Sequence, residues 1–350
     1  AATRSLATML RVSRRRWLST ERLPLIAPAD ALSRMRAALP TAAASSVLAG
    51  YSSTLGGIVT DASLLAVPFD DHGFHRGHCV FDTCNVADGR AFGLTMHIER
   101  LLRSARQARI VGDEPPQAAH PAALRSIILQ TIAATGRRNG VFVRYWLSAG
   151  RGDFAVSPKN CATPQFYCVV HEDSHSAEGP RGVKAATVQV PLKPALLATM
   201  KSNNYMINAL VAMEAEDLGA SMGVQVHDDG HLAESAIATI AVVDAMGVLR
   251  SPPADAILPS TTWARAEALS PSLVANGLLS GCAVDRIHRA ELDDCREIIA
   301  LGGGWVEPIL SLDDKAVGDG QPGPVFAALD ESLRKDFTNP LFTDEVPYDS

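Results

Sequence analysis

The segment LLATMKSNNYMINALVAMEAEDLG, residues 196–219, places a single lysine, Lys201, between an extended stretch and a helical one. Before it, residues 183–193 (VKAATVQVPLK) alternate apolar and polar side chains, as a half-buried strand does. After it, apolar side chains recur at helical spacing at Met206, Leu210, Met213 and Leu218. Gly219 can adopt the left-handed conformation that ends a helix. The pattern predicts a strand, an irregular segment that carries Lys201, and a long helix.

Lys201 can direct its amine into a cleft from such a junction, with the hydrogen-bonding side chains of residues 202–205 around it. An amine held in a cleft can attack a carbonyl carbon and so hold a carbonyl-bearing cofactor covalently. Most lysines, however, are solvated surface charges, and the spacing alone leaves that interpretation open. We therefore treat Lys201 as the first candidate for a catalytic residue.

The composition favours a sizeable core in one large or two medium domains, because the chain has 350 residues of which 47% are hydrophobic. The net charge of −6 gives no reason to expect a nucleic-acid partner. No apolar run is long enough and free enough of charge to span a bilayer, so we predict no membrane association. The six cysteines form no C-x-x-C pair, which favours reduced thiols over a zinc site or a disulfide scaffold.

Residues 1–22 (AATRSLATMLRVSRRRWLSTER) contain six arginines and one acidic residue, with serine and threonine between them. This composition, with a helix-compatible stretch, is typical of an organelle transit peptide. We predict a mitochondrial destination, with a plastid as the alternative. A disordered basic tail would have a similar composition.

Residues 67–83 (VPFDDHGFHRGHCVFDT) contain turn-forming aspartates followed by a strand in which Val80 and Phe81 face opposite sides of a sheet. Three histidines with a spacing of three suggest a metal site at first sight: His72, His75 and His78. No cysteine or acidic residue completes a ligand pattern with them. We therefore interpret them as ordinary surface or pocket histidines and predict no metal.

Arg100 lies in a predicted helix, residues 94–105, beside the buried stripe of that helix. Burying an unpaired guanidinium group is costly, so Arg100 needs an anion, and a phosphate accepts two of its donors at once. An ordinary salt bridge on the helix surface is the alternative.

Two further stretches offer backbone donors to an anion. Residues 257–265 form a loop that opens a helix at Thr261 and Thr262, and the free N–H groups of a helix N-terminus bind anions. The same threonines would equally serve as plain helix caps. A glycine-rich turn around Gly303 allows close approach of the backbone to a ligand, although three glycines alone are weak support.

The succession of elements predicts two α/β domains. The first covers residues 46–172, a polar linker with Gly179 and Pro180 covers 173–182, and the second covers 183–350.

The stretch KSNNYMINALVAMEAEDLGA that begins at Lys201 resembles the lysine segment of the fold-type-IV pyridoxal-phosphate enzymes, and is most similar to that of the plant-type D-amino acid transaminases. The H-x-x-R-L-x-x-S-A motif around Arg100 and the D-x-G-x-x-x-E motif ending at Glu234 are also similar to segments of this family. The resemblance extends from about residue 63 to 347, in the family's order. It implies a two-domain α/β (α+β) fold with the cofactor, pyridoxal 5'-phosphate, at the domain interface.

The resemblance also implies roles for individual residues. Lys201 would hold the cofactor and transfer the substrate proton, and Glu234 would face the pyridine nitrogen. The remaining cofactor contacts would come from Arg100, Tyr205, Thr261, Thr262 and Gly303. Phe81 would line the substrate pocket, where several relatives have tyrosine. Thr239 and Ser260 replace the family's usual asparagine and glycine.

These implications predict a transaminase that moves an amino group between a D-amino acid and a 2-oxo acid, as a homodimer. Arg144 and Arg151 are weak candidates for binding the substrate carboxylate, because arginine pairs with a carboxylate at two points. The alternatives are an aminodeoxychorismate lyase, an L-branched-chain transaminase and a non-catalytic relative.

Overall fold

The computed structural model describes residues 23–38, 46–172, 182–255 and 257–348. The predicted transit peptide, 1–22, and residues 173–181 of the predicted linker lie outside this part of the chain. Eight α-helices occur in it: α1 (Pro28–Ala38), α2 (His72–Arg76), α3 (Leu94–Gln107), α4 (Pro121–Ala133), α5 (Ala195–Ala198), α6 (Met206–Asp217), α7 (Thr261–Ala275) and α8 (Pro324–Asp336).

The same part of the chain forms sixteen strands. The first eight are β1 (Val47–Ser52), β2 (Gly57–Val59), β3 (Cys79–Ala87), β4 (Arg90–Phe92), β5 (Val141–Ser148), β6 (Gln165–Glu172), β7 (Val183–Val188) and β8 (Met222–Val226). The others are β9 (Leu232–Ser235), β10 (Thr239–Val243), β11 (Val248–Ser251), β12 (Gly281–Val284), β13 (Glu297–Gly302), β14 (Trp305–Leu312), β15 (Lys315–Ala316) and β16 (Thr343–Glu345).

The first sheet has the strand order β16-β4-β3-β5-β6-β1-β2, and each pair of neighbouring strands in it is antiparallel. Helices α3 and α4 cover one face, where a cluster of apolar side chains is buried, including Val80, Leu101, Ile128 and Val143. Since neighbouring residues of a strand point to opposite faces, Phe81 and Trp146 lie on the other face as a cross-strand pair. That second face is turned toward the segment that carries Lys201.

The second sheet has nine strands in the order β12-β11-β10-β13-β14-β7-β8-β9, with β15 paired to β14. An additional pairing of β9 with β10, between Glu234 and Thr239, closes six of these strands into a ring. Helices α7 and α8 pack on this sheet through a cluster that includes Trp263 and Leu329. Glu234 therefore lies where the ring closes.

The last strand does not follow the predicted domain division. Residues 183–350 were all expected in the second domain, yet β16 pairs with β4 of the first sheet, with Thr343 opposite Phe92. The terminal strand extends the free edge of a three-residue strand, a long-range pairing that local pattern does not encode.

The helix predicted after Lys201 is α6, and Gly219 ends it in the left-handed conformation at φ +69°. The four apolar residues whose spacing predicted the helix do not face the core, because they are 42% to 74% exposed: Met206, Leu210, Met213 and Leu218. The buried face instead carries Val211 and Ala215, which pack on β7. The preceding strand is also shorter than the alternating pattern suggested, ending at Val188.

None of the helices in the described ranges is long and apolar enough to cross a bilayer. All six cysteines are free thiols.

Candidate active site

Lys201 lies in the segment between α5 and α6, and main-chain hydrogen bonds dock this segment on β3. The Phe81 N–H donates to the Lys201 carbonyl at 2.9 Å, and the Asn203 N–H donates to the Cys79 carbonyl at 3.0 Å. The Lys201 N–H donates to the Ser104 hydroxyl of α3 at 3.1 Å. Lys201 lies in the connection between β7 and β8 of the second sheet, and β3 of the first sheet fixes its backbone. Lys201 therefore lies at the interface between the two sheets.

The amine of Lys201 lies inside the protein between two aromatic side chains. Its Nζ is 3.4 Å from the Tyr205 hydroxyl and 4.8 Å from the Phe81 ring centroid. Burial lowers the pKa of Lys201 to about 8; Asp82 opposes this shift and Arg100 adds to it. A neutral amine is thus accessible near physiological pH, which a solvated lysine does not provide.

Arg100 is buried and pairs with an anion of the protein itself. Its Nε and Nη2 donate to the two carboxylate oxygens of Asp82 at 2.8 and 2.7 Å. The Nδ1 of His97 lies 3.1 Å from the same carboxylate. The sequence correctly indicated that Arg100 needs an anion, but it did not indicate Asp82.

The Asp82 pair leaves one side of the guanidinium group directed elsewhere. The Nη1 of Arg100 lies 3.5 Å from the Thr261 hydroxyl, at the first residue of α7. Burial disfavours a charged Asp82, but Arg100 and His97 hold the pKa of its carboxyl well below the usual range. The pair therefore stays ionised and fixes Arg100 with Nη1 toward the N-terminus of α7.

The N-terminus of α7 meets the glycine turn predicted from the sequence. The hydroxyl of Thr262 accepts a hydrogen bond from the Gly304 N–H at 2.9 Å, and the Gly303 carbonyl accepts one from the Asn85 side chain at 2.9 Å. Ser260, which stands where the family usually has glycine, caps the helix by accepting the Trp263 N–H. Arg100, both threonines and the glycine turn are thus brought together.

Glu234 is buried at the closing pair of the ring, beside Thr239. One of its carboxylate oxygens accepts the Leu258 N–H at 3.2 Å, and the other lies 3.2 Å from the Nζ of Lys193. Thr239 is Glu234's cross-strand neighbour, so this departure from the family pattern lies directly beside the carboxylate.

The two weak arginine candidates lie in different places. Arg144 stands on the face of the first sheet that carries Phe81, with Nε 3.3 Å from the Thr83 hydroxyl. Arg144 also belongs to the charges that act on the Tyr205 hydroxyl. Arg151, in contrast, is paired at two points with Asp70 in an exposed loop, at 2.9 Å for each closest contact. Of the two arginines, Arg144 thus shares the sheet face of Phe81, whereas Arg151 pairs with a residue of a surface loop.

Sequence reasoning missed three ionisable side chains of the site: Asp82, His97 and Lys193. Asp82 interrupts the apolar strand residues around it, and His97 lies one turn before Arg100, so both left a signal of a buried polar group. Lys193 left a weaker one, a lysine enclosed by prolines at 191 and 194. Nothing in the spacing pairs Lys193 with Glu234.

The described residues contain no group of three or more histidine, cysteine or acidic side chains that could hold a metal ion. His72 and His78 instead contact each other, with 3.1 Å between their Nδ1 atoms.

The family model for amino-transferase class IV matches residues 79–312, which include every residue of the site described above. A D-amino-acid transaminase of Arabidopsis thaliana chloroplasts is 38% identical over 305 residues, covering 86% of this chain and 80% of the relative. A bifunctional aminodeoxychorismate lyase / D-amino acid transaminase of Mycobacterium tuberculosis is 28% identical over 198 residues, covering 54% and 65%.

Among solved structures, the branched-chain amino acid aminotransferase of Escherichia coli superposes with a TM-score of 0.75 at 21% identity, covering 86% of this chain and 99% of that one. This likeness shows the two-domain α/β fold. Together, the family match and the interface site show that the chain belongs to the class IV aminotransferases and is a pyridoxal-phosphate-dependent enzyme that transfers amino groups between small amino and 2-oxo acids.

Proposed function

We propose that this aminotransferase acts on D-amino acids, such as D-alanine, with a 2-oxo acid as the amino-group acceptor. The observation that carries the choice of D-substrates is the 38% identity, over most of the chain, to a D-amino-acid transaminase. The transfer chemistry itself is supported by the buried amine of Lys201 at the sheet interface.

Bound pyridoxal phosphate supplies an electron-accepting ring that acidifies the Cα proton of an attached amino acid. We assign two roles to Lys201: it binds the cofactor covalently, and it moves the Cα proton of the substrate. Its neutral amine is nucleophilic, and its position between Phe81 and Tyr205 restricts the directions in which it can deliver a proton. Burial raises the pKa of the Tyr205 hydroxyl, so this group acts as a neutral hydrogen-bond donor.

The phosphate group fits the cradle formed by Arg100, Thr261, Thr262 and Gly303. Arg100 offers Nη1 there because Asp82 occupies its other donors. The first N–H groups of α7 have no partner within the helix and favour an anion, as does the helix dipole. These donors come from two separate elements, Arg100 on α3 and the start of α7, and a dianionic phosphate group between them would accept hydrogen bonds from both.

Glu234 is assigned to the pyridine nitrogen. A buried carboxylate beside this nitrogen favours its protonated state, in which the ring withdraws electrons most strongly. The Leu258 N–H and the Lys193 ammonium group each contact one of the two carboxylate oxygens. The orientation of the Glu234 carboxylate is therefore fixed before the cofactor binds.

Arg144 is assigned to the substrate carboxylate. It is exposed on the sheet face shared with Phe81, and among the described residues its guanidinium group makes one hydrogen bond, of 3.3 Å to Thr83. Its remaining donors can pair with a carboxylate at two points.

A homodimer is part of the proposal. Three large apolar side chains of α6, Met206, Leu210 and Met213, are exposed and lie at helical spacing on one side of the helix, which suits burial against a second copy. Light scattering should give close to twice the chain mass of 37.1 kDa. A monomeric mass for active protein would contradict this part.

The proposal has two competing functions with the same cofactor and lysine. The lyase activity named for the Mycobacterium tuberculosis relative favours pyruvate elimination as the second candidate. Likeness to a branched-chain enzyme concerns the fold, so L-branched-chain transfer ranks third. A non-catalytic relative would not need an amine with a pKa near 8.

The decisive experiment supplies purified, cofactor-loaded protein with D-alanine and 2-oxoglutarate, and in parallel with L-leucine and 2-oxoglutarate. We expect pyruvate and D-glutamate in the first mixture and no reaction in the second. Lys201→Ala should abolish turnover, whereas Lys184→Ala, at an exposed lysine, should leave it intact. Product from L-leucine alone would contradict the D-specific assignment, and pyruvate formed only from aminodeoxychorismate would establish the lyase.

We also propose that residues 1–22 direct the protein to mitochondria, with plastids as the alternative. The support is their six arginines and single acid. A fluorescent protein fused to these residues should accumulate in the organelle, and a diffuse signal would contradict the proposal.

A further inference from the structure

A second buried lysine, Lys193, stands eight residues before Lys201 and forms an ion pair with Glu234. The Nζ of Lys193 is 3.2 Å from a carboxylate oxygen, and each of the two side chains is only 9% exposed. Removing two charges from water is expensive, and a buried pair is often no more stable than apolar residues of the same size. Stability alone therefore gives little reason for this pair.

The backbone around Lys193 is held in place. The amide of Gln225, itself buried, donates to the carbonyls of Val190 and Pro191 at 3.1 and 3.3 Å. Pro194, on the other side, is the N-cap residue directly before α5. Since the chain is fixed on both sides, the ammonium group of Lys193 is directed at Glu234 instead of solvent.

The two lysines also act on the same surroundings. Their Nζ atoms lie 5.7 and 5.9 Å from the ring centroid of Tyr205. The charged groups that act on Lys201 are Asp82 and Glu234, which favour its protonated form, and Arg100 and Lys193, which disfavour it. Lys193 thus influences Lys201 directly and also through Glu234.

We propose that Lys193 is a positioning residue that fixes the Glu234 carboxylate and sets the charge offered to the pyridine nitrogen of the cofactor. This inference rests on the proposed cofactor role of Glu234. Without the ammonium group of Lys193, the negative charge of the Glu234 carboxylate is uncompensated. The loss of the nearby cation and the uncompensated carboxylate both favour the protonated state at the Lys201 nitrogen.

The test compares Lys193→Met, Lys193→Gln and Lys193→Arg with the wild type, and uses Lys184→Met as control, because the Lys184 pair with Asp314 is exposed. The readout is the pH midpoint of the visible absorption band of the bound pyridoxal phosphate. The neutral variants should shift the midpoint upward, on the order of one pH unit, because a nearby cation is lost. Lys193→Arg and the control should keep the wild-type midpoint.

Lys193→Gln keeps a hydrogen-bond donor for Glu234, so it remains informative if Lys193→Met does not fold. A neutral variant that binds the cofactor and titrates like the wild type would overturn the inference, as would an equal shift in Lys193→Arg. A wild-type protein that gains no visible band would instead contradict the proposed function, so the two failures are distinguishable.

Discussion

Two arginine–aspartate pairs of the same chemistry lie in different surroundings. In the interface pair, Arg100 and Asp82 have side-chain exposures of 7% and 0%; in the loop pair, Arg151 and Asp70 have exposures of 48% and 31%. Both arginines contact both oxygens of their partner. Exposed pairs contribute little to folding stability because water screens their charges. In a buried pair, water cannot solvate either charge, so each depends on its partner.

The difference explains why one pair belongs to the site. The interface pair leaves Nη1 of Arg100 beside Thr261, and its charges act on Lys201. The loop pair tethers two surface segments. Position among neighbouring elements, and not the pair itself, makes Arg100 suited to the phosphate-binding role that we propose for it.

The largest effect is expected from Asp82→Asn. It leaves Arg100 buried without its anion, and breaking a buried pair in this way costs about 3–5 kcal/mol of unfolding free energy. Urea unfolding of the cofactor-free protein measures the loss, with Asp70→Asn as the matched control. The comparison is wrong if the two variants lose the same amount.

The next largest effect is expected in the pH dependence of the rate at which the cofactor-free protein binds pyridoxal phosphate. Only the neutral amine of Lys201 is nucleophilic, so the rate should rise roughly tenfold per pH unit below its pKa of about 8 and level off above it. Stopped-flow absorbance after mixing with pyridoxal phosphate measures this rate.

Asp82 favours the protonated amine, so Asp82→Asn should move that midpoint to lower pH, while Asp70→Asn should not move it. A wild-type midpoint above pH 10 would mean that Lys201 is solvated, contrary to the account.

Arg144→Ala should raise the KM for the amino-acid substrate about tenfold with a smaller change in kcat, because it removes a charged contact to the substrate carboxylate. Steady-state kinetics with D-alanine measures both constants. An unchanged KM would exclude Arg144 from substrate binding.

The smallest effect is expected from Arg151→Ala, which removes the exposed member of the loop pair. Neither cofactor affinity nor unfolding midpoint should change measurably, because solvent screens this pair. A raised KM in this variant would bring Arg151 back as a substrate residue.

The sequence was sufficient for the parts of the site that local motifs carry. Lys201 after a strand, Arg100 beside a buried stripe, and Thr261 at a helix start each have a pattern of their own, and the structure brings them together. The sequence did not predict which residue pairs with Arg100, because Asp82 and Arg100 meet through the packing of α3 on β3. Lys193, which follows β7, meets Glu234 of β9 only through the folding of the second sheet, where β8 lies between these two strands.

Helix α6 marks a second limit of sequence reasoning. Its spacing predicted the helix correctly, but its apolar side chains face outward, since packing on β7 selects the smaller residues Val211 and Ala215. An apolar stripe indicates burial in an assembly as readily as burial in one chain.

The central claim is that Lys201, and not the neighbouring buried Lys193, binds the cofactor covalently. Borohydride reduction of the cofactor-loaded protein makes the link permanent, and peptide mass spectrometry then locates it. The account predicts a phosphopyridoxyl group on the peptide that contains Lys201 and none in Lys201→Ala. A modified Lys193 in the wild type, or no modified lysine at all, would contradict it.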